Sequence, residues 1–193
     1  ASPEVKGVVF KLNYRHTNVI LGEKNIPILG ETHIADKIFD KEFLISTKSF
    51  YQTNPKQIET LYGTAIKLAG LKKTDTVLDA YCGTGTIGLS LADKVKKVVG
   101  VEIEPEAIED ANKNAQLNKI ANATLIEGDC TEYLNDTKEN FDVIIMDPPR
   151  KGSTPDFLNA VKRIKPRTLV YISCDPVTLS RDIGLISDTY EIK

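Results

Sequence analysis

Three side chains with the potential for chemistry stand at comparable places in this chain, each just after an apolar run. Asp79 precedes a glycine-bearing turn, Asp147 precedes Pro148-Pro149, and Cys174 precedes Asp175. A carboxylate suits a ligand that carries positive charge. A cysteine thiolate is a nucleophile that can add to an electron-poor carbon such as C6 of a pyrimidine. These residue types predict a site that binds a cofactor and attacks a substrate.

The turn after Asp79 is compatible with two cofactors. Residues 83–88 (GTGTIG) match the G-x-G-x-x-G pattern, and Glu102 lies about 20 residues beyond, where an acid binds ribose hydroxyls. A dinucleotide, however, needs its pyrophosphate at the helix N-terminus, where Asp79 would repel it. An acid suits the ammonium and sulfonium of S-adenosylmethionine. We favour S-adenosylmethionine and keep a nicotinamide-dependent oxidoreductase as the alternative.

The stretch after Asp147 reads Pro148-Pro149-Arg150-Lys151. The two prolines stiffen the loop, and the two cations are suited to phosphate or a base edge. An acid or amide followed by two prolines also occurs in enzymes that methylate the amino groups of bases. In those enzymes an aromatic residue usually follows the prolines, and this chain has Arg150. Amino methylation therefore remains a second alternative.

Cys174 differs from the other two cysteines in its position. It directly precedes a predicted helix, and a helix N-terminus favours the anionic form of a thiol. Cys82 lies inside the cofactor turn and Cys130 begins a helix, so both are expected to be small packing residues. The three cysteines form no C-x-x-C pair, which indicates cytosolic thiols and no metal site.

Alternating strands and helices must position these groups. Strands are predicted at 76–80, 97–102, 123–127, 141–147 and 168–173. Helices are predicted to begin near residues 55, 85, 105, 155 and 176, several of them at prolines. Apolar strands that alternate with helices form a parallel sheet covered on both faces, and right-handed crossovers bring all carboxyl ends to one edge, where ligands bind. Asp129, after the third strand, is either an adenine-binding acid or a simple turn residue.

The first 48 residues differ from the rest. Short apolar runs at 8–10, 18–21, 26–29 and 43–45 alternate with turn residues and predict a small antiparallel appendage, which serves either packing or substrate binding. A helix follows from Pro55, with Asn54 as its expected N-cap.

Composition restricts the class of protein. The chain has 193 residues, 25 basic and 27 acidic, so we expect any nucleic acid to be bound through a local patch or with help from a part of the protein outside this sequence. There is no apolar run of about 20 residues and no signal-peptide pattern, so we expect a cytoplasmic protein without a membrane partner.

Four stretches together resemble a known family. Residues 49–54 (SFYQTN), 79–85 (DAYCGTG), 147–150 (DPPR) and 173–182 (SCDPVTLSRD) are similar to the RNA 5-methyluridine (uracil-5) methyltransferases, most of all to the bacterial 23S rRNA enzymes. The resemblance implies an α/β, Rossmann-like S-adenosylmethionine-dependent methyltransferase fold. Its parallel sheet would be truncated after strand five, with residues 190–193 opening a sixth strand. Residues 1–48 would be a small β-rich segment of a central domain, and residues 49–193 the catalytic domain.

The resemblance also implies a mechanism and a set of residues. Cys174 would add to C6 of a uridine in RNA, C5 would take the methyl group, and S-adenosylhomocysteine would be the product. The residues implied at the cofactor site, some of them also expected from the strand ends, are Gln52, Asp79, Tyr81, Gly83, Gly85, Thr86, Glu102, Asp129 and Asp147. Phe50, Asp147 and Arg150 would contact the substrate.

Two features of the resembled family are not found here. Its members usually begin with an RNA-binding β-barrel, and many have a four-cysteine iron–sulfur cluster. Their general-base glutamate lies on a segment C-terminal to the last residue of this chain, and Glu191 does not match it. We therefore expect a monomeric fragment without metal that binds the cofactor, with 23S rRNA as the preferred substrate and tRNA as the alternative.

Overall fold

The structure, a computed structural model, describes residues 5–12, 24–47, 49, 51–52 and 54–193. Phe50 and the strand expected at 18–21 lie outside the described residues. The strands are β1 (Gly7–Leu12), β2 (Lys24–Gly30), β3 (His33–Ile38), β4 (Lys41–Ser46), β5 (Thr76–Ala80), β6 (Lys97–Glu102), β7 (Ala123–Glu127), β8 (Val143–Met146) and β9 (Thr168–Tyr171). The helices are α1 (Pro55–Ala69), α2 (Thr86–Leu91), α3 (Pro105–Leu117), α4 (Cys130–Asp136), α5 (Pro155–Ile164) and α6 (Pro176–Ile186), and a 3₁₀ turn (Ala92–Lys94) follows α2.

Strands β5 to β9 form the predicted parallel sheet, in the order β7-β6-β5-β8-β9. The chain reverses direction across the sheet between β7 and β8, so β5, the first strand, lies in the middle. Its neighbours β6 and β8 pair with it along its length, with Val77 opposite both Val98 and Val143. In open sheets of this kind the ligand site lies at the carboxyl ends of the central strands.

Two apolar clusters cover the two faces of this sheet. Alternate residues of β5 point to opposite faces, so Val77 packs with α1 and α2, whereas Leu78 packs with α4 and α5. Every residue of β8 is buried, as a parallel strand covered on both faces requires. Among the described residues, no helix is both long and apolar enough to cross a membrane.

The N-terminal residues form two antiparallel pairs, β1–β2 and β3–β4. Strand β3 was not predicted. Its sequence, HIADKI, contains two charged residues, and only Ile38 is buried. Ile38 and Phe43 of this hairpin join the cluster that contains α1, so the β3–β4 pair packs directly onto the helices on that face of the parallel sheet.

Helix α3 holds strand β4 through side chains spaced four residues apart. Asn114 accepts a hydrogen bond from Leu44 N–H at 2.7 Å and donates to the Leu44 carbonyl at 3.1 Å. Asn118 pairs in the same way with the backbone of Glu42. Four helical residues rise about 6 Å and two strand residues about 6.6 Å, so the helix matches the strand repeat. The asparagines thus satisfy a strand edge that would otherwise expose its backbone groups.

Several predicted boundaries were wrong at their carboxyl ends. Strands β8 and β9 end before residues 147 and 173, because the chain turns away there and Pro148 has no N–H for a ladder. Residues 190–193, expected to open a sixth strand, are not in a strand. Asn54 occupies the N-cap position of α1, but its side chain makes no capping hydrogen bond.

Asn114 provides a test of this packing. It is fully buried, and its amide also donates to the Thr84 carbonyl at 3.2 Å, which ties the hairpin to the glycine turn. Asn114→Ala should lower the free energy of unfolding by about 3 kcal/mol, because the buried Thr84 carbonyl and two partly buried backbone groups of Leu44 lose their partner. Asn118→Ala, at a half-buried position, should cost about 1 kcal/mol. Urea unfolding measures the loss of stability in each variant. Equal losses would contradict the conclusion that Asn114 joins the hairpin to the glycine turn.

Candidate functional site

Three carboxylates meet at the carboxyl edge of the sheet. Asp79 lies near the end of β5, Glu102 ends β6, and Asp147 follows β8, and these three strands are neighbours. The sequence separates Asp79 from Asp147 by 68 positions, but the shared edge brings their charges close enough to interact. The predicted convergence of these acids is therefore found in the structure.

The side chain of Asp79 extends from β5 to the N-terminal turn of α2. The residue is only 1% exposed, and its Oδ2 accepts a hydrogen bond from the Gly88 N–H at 2.7 Å. A Cβ at Gly88 would lie 2.8 Å from the same oxygen. Glycine at the last position of the G-x-G-x-x-G pattern therefore allows the Asp79 carboxylate to approach the helix backbone. A pyrophosphate would have to share this helix end with a buried acid, which disfavours a dinucleotide.

The second oxygen of Asp79 has no partner. Its Oδ1 is buried and receives no hydrogen bond within the described residues. Burial, together with the charges of Asp147 and Glu102, raises the pKa of Asp79 to about 7. Burial also raises the pKa of Asp147 to about 6. A cation at this edge would relieve the cost of ionising both acids.

The turn between β5 and α2 has an unusual backbone. Tyr81, Gly83 and Gly85 all have positive φ, of 63°, 53° and 80°. Glycine adopts this conformation without strain, whereas a tyrosine there must be held by its surroundings. The Cβ position of Gly83 faces open space, so the backbone at this turn is accessible to a ligand.

Glu102 is oriented by backbone N–H groups. Its Oε2 accepts from Gly83 at 3.0 Å, and its Oε1 accepts from Ile103 at 2.8 Å and Glu104 at 3.1 Å. A carboxylate has about four acceptor sites, so one site remains on Oε2 for a ribose hydroxyl. Glu102 thus joins the end of β6 to the glycine turn.

Three other predicted cofactor residues have structural partners. The Tyr81 ring packs on Phe157 with centroids 5.5 Å apart. The Thr86 hydroxyl lies 3.2 Å from that of Tyr62. Asp129 caps α4, because its Oδ1 accepts from Thr131 at 2.7 Å and Glu132 at 3.1 Å. These contacts position the turn and the end of β7, and for Asp129 they support the turn-residue alternative.

Gln52 reaches the site from the segment before α1. Its Nε2 donates to Asp147 Oδ2 at 3.3 Å across 95 residues of sequence. Spacing alone indicated a linker residue here, and only the family resemblance pointed to the site. A surface cavity of about 450 Å³, lined mainly by uncharged groups of α1 that include Gln57, Thr60 and Leu61, begins beside Gln52.

Cys174 is the exposed cysteine of the three. It follows β9, and the ladder between β8 and β9 continues to Ile172, whose N–H donates to the Met146 carbonyl at 2.9 Å. The chain segments that carry Asp147 and Cys174 therefore leave the sheet side by side. Asp175 caps α6 by accepting from the N–H groups of residues 177 and 178. Cys174 lies directly before this capped helix, as predicted.

Cys82 and Cys130 are buried, as expected for packing residues. Burial raises the pKa of the Cys130 thiol to about 12 and that of Cys82 well above its usual value. Neither thiol is suited to act as a nucleophile. No cluster of candidate metal ligands occurs in the described part of the chain.

Ser153 and Asp182 have no predicted role in the site. Asp182 is fully buried and accepts from the Ser153 N–H at 2.8 Å, so it contacts the loop that follows Asp147. Its neighbour Arg181 is in the SCDPVTLSRD stretch too, and an acid after a cation is usually a solvated pair on a helix surface. Its burial and its contact with the loop distinguish Asp182 from such a solvated acid.

The raised pKa of Asp79 predicts a pH dependence of stability. The folded protein holds this proton more tightly than the unfolded chain, where the pKa is near 3.8, so stability falls as pH rises from 3.8 towards about 7. Asp79→Asn keeps an acceptor for Gly88 and should remove roughly 2 kcal/mol of the loss between about pH 5 and 7. Urea unfolding across this range checks it. Asp156→Asn, at an exposed position of α5, is the control, and an unchanged slope in Asp79→Asn would contradict the assignment.

Known proteins share this architecture. The model of a family described as a methyltransferase domain matches residues 71–192. An uncharacterized RNA methyltransferase of Oceanobacillus iheyensis is 48% identical over 96% of this chain, which spans 41% of that protein. The chain thus covers about two fifths of the length of the curated relatives that it matches.

Solved structures agree with this match. The tRNA (uracil-54, C5)-methyltransferase of Pyrococcus abyssi, crystallised with S-adenosyl-L-homocysteine, is 31% identical. It superposes with a TM-score of 0.77 over 93% of this chain and 44% of its own. A precorrin 8W decarboxylase of Methanobacterium thermoautotrophicum is 26% identical, with a TM-score of 0.66 over 76% of this chain and 77% of its own.

The family match, the solved structures and the carboxylates at the sheet edge argue against a nicotinamide-dependent oxidoreductase. The fold is the Rossmann-like fold of S-adenosylmethionine-dependent enzymes, as predicted, with a five-stranded parallel sheet and small antiparallel pairs before it. This chain belongs to the methyltransferase-domain family.

Proposed function

We propose that this chain is the catalytic core of an S-adenosylmethionine-dependent enzyme that methylates C5 of a uridine in RNA through a covalent adduct with Cys174. The observation that carries the proposal is the exposed Cys174 thiol beside the strand end that bears Asp147, which Gln52 contacts at 3.3 Å. Amino methylation of a base requires no such thiol. A thiol at this edge is what addition to a pyrimidine requires.

The acidic edge fits the proposed cofactor. The unpartnered Oδ1 of Asp79 and the raised pKa of Asp147 favour a ligand with an ammonium group, and Glu102 is oriented to accept a ribose hydroxyl. The open backbone at Gly83 provides room beside them. S-adenosylmethionine would supply an electrophilic methyl group here.

The protein residues would act on the base in sequence. The Cys174 thiolate adds to C6 of the uracil, and the electron pair of the C5–C6 double bond moves towards the C4 carbonyl, so that C5 becomes nucleophilic. C5 would then form a bond to the methyl carbon while the bond between that carbon and the cofactor sulfur breaks, so that S-adenosylhomocysteine would leave. A general base, which none of the site residues described above supplies, would take the proton from C5, and the S–C6 bond would break to restore both the double bond and the thiolate. Asp147, with Gln52, would orient the uracil edge.

The substrate class rests on the relatives and on local charge. The Oceanobacillus relative is named as an RNA methyltransferase and the Pyrococcus structure as a tRNA uracil methyltransferase. Arg150 is exposed on the loop after Asp147 and is suited to phosphate. A base inside a duplex cannot reach Cys174, so the uridine must be flipped out or lie in a loop. We favour 23S rRNA from the motif resemblance, and the Pyrococcus match makes tRNA the second candidate.

Calorimetric titration tests the cofactor. S-adenosylhomocysteine should bind, and NAD should not. Glu102→Gln should weaken binding about tenfold, because hydrogen bonds to a charged acceptor are lost, while Glu104→Gln, an exposed neighbour, should have little effect. Affinity should be lower near about pH 6 than near about pH 8, since the ligand ammonium prefers ionised Asp79 and Asp147. Binding of NAD alone would refute the cofactor assignment.

RNA containing 5-fluorouridine tests the nucleophile. After addition and methyl transfer, C5 carries fluorine in place of the proton, so elimination is blocked and the RNA stays bound to the protein. The wild-type chain with S-adenosylmethionine should give a complex that survives denaturing electrophoresis. Cys174→Ala should give none, and Cys82→Ala should behave as wild type.

The choice of RNA decides between the two substrates. Fluorinated 23S rRNA fragments and fluorinated tRNA are tested in parallel, and trapping of one class identifies the substrate.

Trapping that persists in Cys174→Ala would refute the proposed nucleophile.

A further inference from the structure

Helix α6 holds the loop after Asp147 along one of its faces. The Thr178 hydroxyl donates to the Arg150 carbonyl at 3.1 Å. The Arg181 Nη2 donates to the carbonyls of Lys151 at 3.0 Å and Ser153 at 3.1 Å. Residues 178 and 181 are one helical turn apart and so face the same side. This helix begins two residues after Cys174, so the contacts join the nucleophile segment to the loop.

Asp182 completes this face and is the fully buried charge in it. Its Oδ2 accepts from the Ser153 N–H at 2.8 Å and from the Tyr171 hydroxyl at 2.6 Å. Its Oδ1 accepts from the Arg181 Nε at 2.8 Å. A buried carboxylate is tolerated when donors of this kind surround it, and removal of its charge leaves those donors without an equally strong acceptor.

Gly152 allows the loop to approach the helix closely. Its φ is +76°, and a Cβ there would lie 2.6 Å from both the Arg181 Nη2 and the Asp182 Oδ2. Such distances are too short for any side chain. The loop and α6 are therefore fitted to each other at this point by backbone contact, and the position requires glycine for both conformation and space.

The same loop also contacts the glycine turn. The Tyr81 hydroxyl lies 3.2 Å from the Ser153 hydroxyl, and Tyr81 is the strained residue of that turn. Ser153 is 5% exposed, so this contact is shielded from water. Through Ser153, one hydrogen-bonded set joins the cofactor turn and the loop after Asp147 to the helix after Cys174.

We propose that Thr178, Arg181 and Asp182 form a clamp that positions the 147–153 loop against the segment bearing Cys174. These are positioning residues, because they act through Ser153, Gly152 and the loop backbone. Their effect on chemistry rests on the proposed function, whereas their effect on the loop does not. Loss of the clamp should slow addition of the thiol to the base and leave Asp79 and Glu102, which belong to β5 and β6, in place.

Hydrogen exchange and adduct trapping test the clamp. Asp182→Asn should speed exchange of the Ser153 amide about tenfold, because the amide oxygen is a weaker acceptor than the carboxylate. At saturating fluorouridine RNA it should slow trapping by about tenfold or more, since small displacements of reacting groups are costly. The RNA concentration for half-maximal rate and the affinity for S-adenosylhomocysteine should stay unchanged, a split that general destabilisation would not produce.

Two further variants keep the outcome decisive. Thr178→Val removes the contact with the Arg150 carbonyl, together with a 3.3 Å contact with the Asp175 carbonyl inside the same helix start. It should give a smaller change in the same direction if Asp182→Asn fails to fold. Asp188→Asn removes a charge of the same type at an exposed site just beyond α6 and should resemble wild type. Unchanged exchange at residues 150–153 in both clamp variants would overturn the proposal. If the wild-type chain itself forms no adduct, the proposed function fails, and the exchange data still decide on the clamp.

Discussion

A carboxylate with almost no contact with water lies at the centre of the sheet edge, held by one backbone N–H. Asp79 lies one residue before the end of the middle strand and accepts from Gly88 at the start of α2, and its other oxygen has no hydrogen-bond partner among the described residues. Burial of a charge at this cost requires compensation, which a positively charged ligand can supply. The need for glycine at 88 and the raised pKa of Asp79 both follow from this placement.

Side-chain-to-backbone hydrogen bonds hold the parts of the site in relation to that edge. On one side, Asn114 joins β4 to the carbonyl of Thr84 in the glycine turn. On the other side, Asp182 joins α6 to Ser153. In both cases a buried polar side chain forms hydrogen bonds with backbone groups that have no partner within a helix or sheet. The loops at this edge are thereby ordered without regular structure of their own.

The G-x-G-x-x-G pattern shows how one motif can arise from different constraints. In a dinucleotide site the glycines admit a pyrophosphate, whereas here Gly88 admits the carboxylate of Asp79. Tyr81 has a positive φ in the same turn, and its ring and hydroxyl are held by Phe157 and Ser153. The pattern reports a tight strand-to-helix turn, and the neighbouring charges decide which ligand the turn suits.

Local sequence was sufficient to predict the strands of the parallel sheet and the helices that begin at prolines. It also predicted that three acids lie at strand ends and that Cys174 lies at the rim of the sheet. Apolar periodicity, caps and the handedness of crossovers act over short distances or by general rule, so one sequence reveals them. Tertiary structure alone decided that Gln52 meets Asp147 across 95 residues and that Asp182 is buried against Ser153. Those outcomes depend on how separately folded segments pack, and a polar residue has the same local pattern whether it ends in water or in a buried contact.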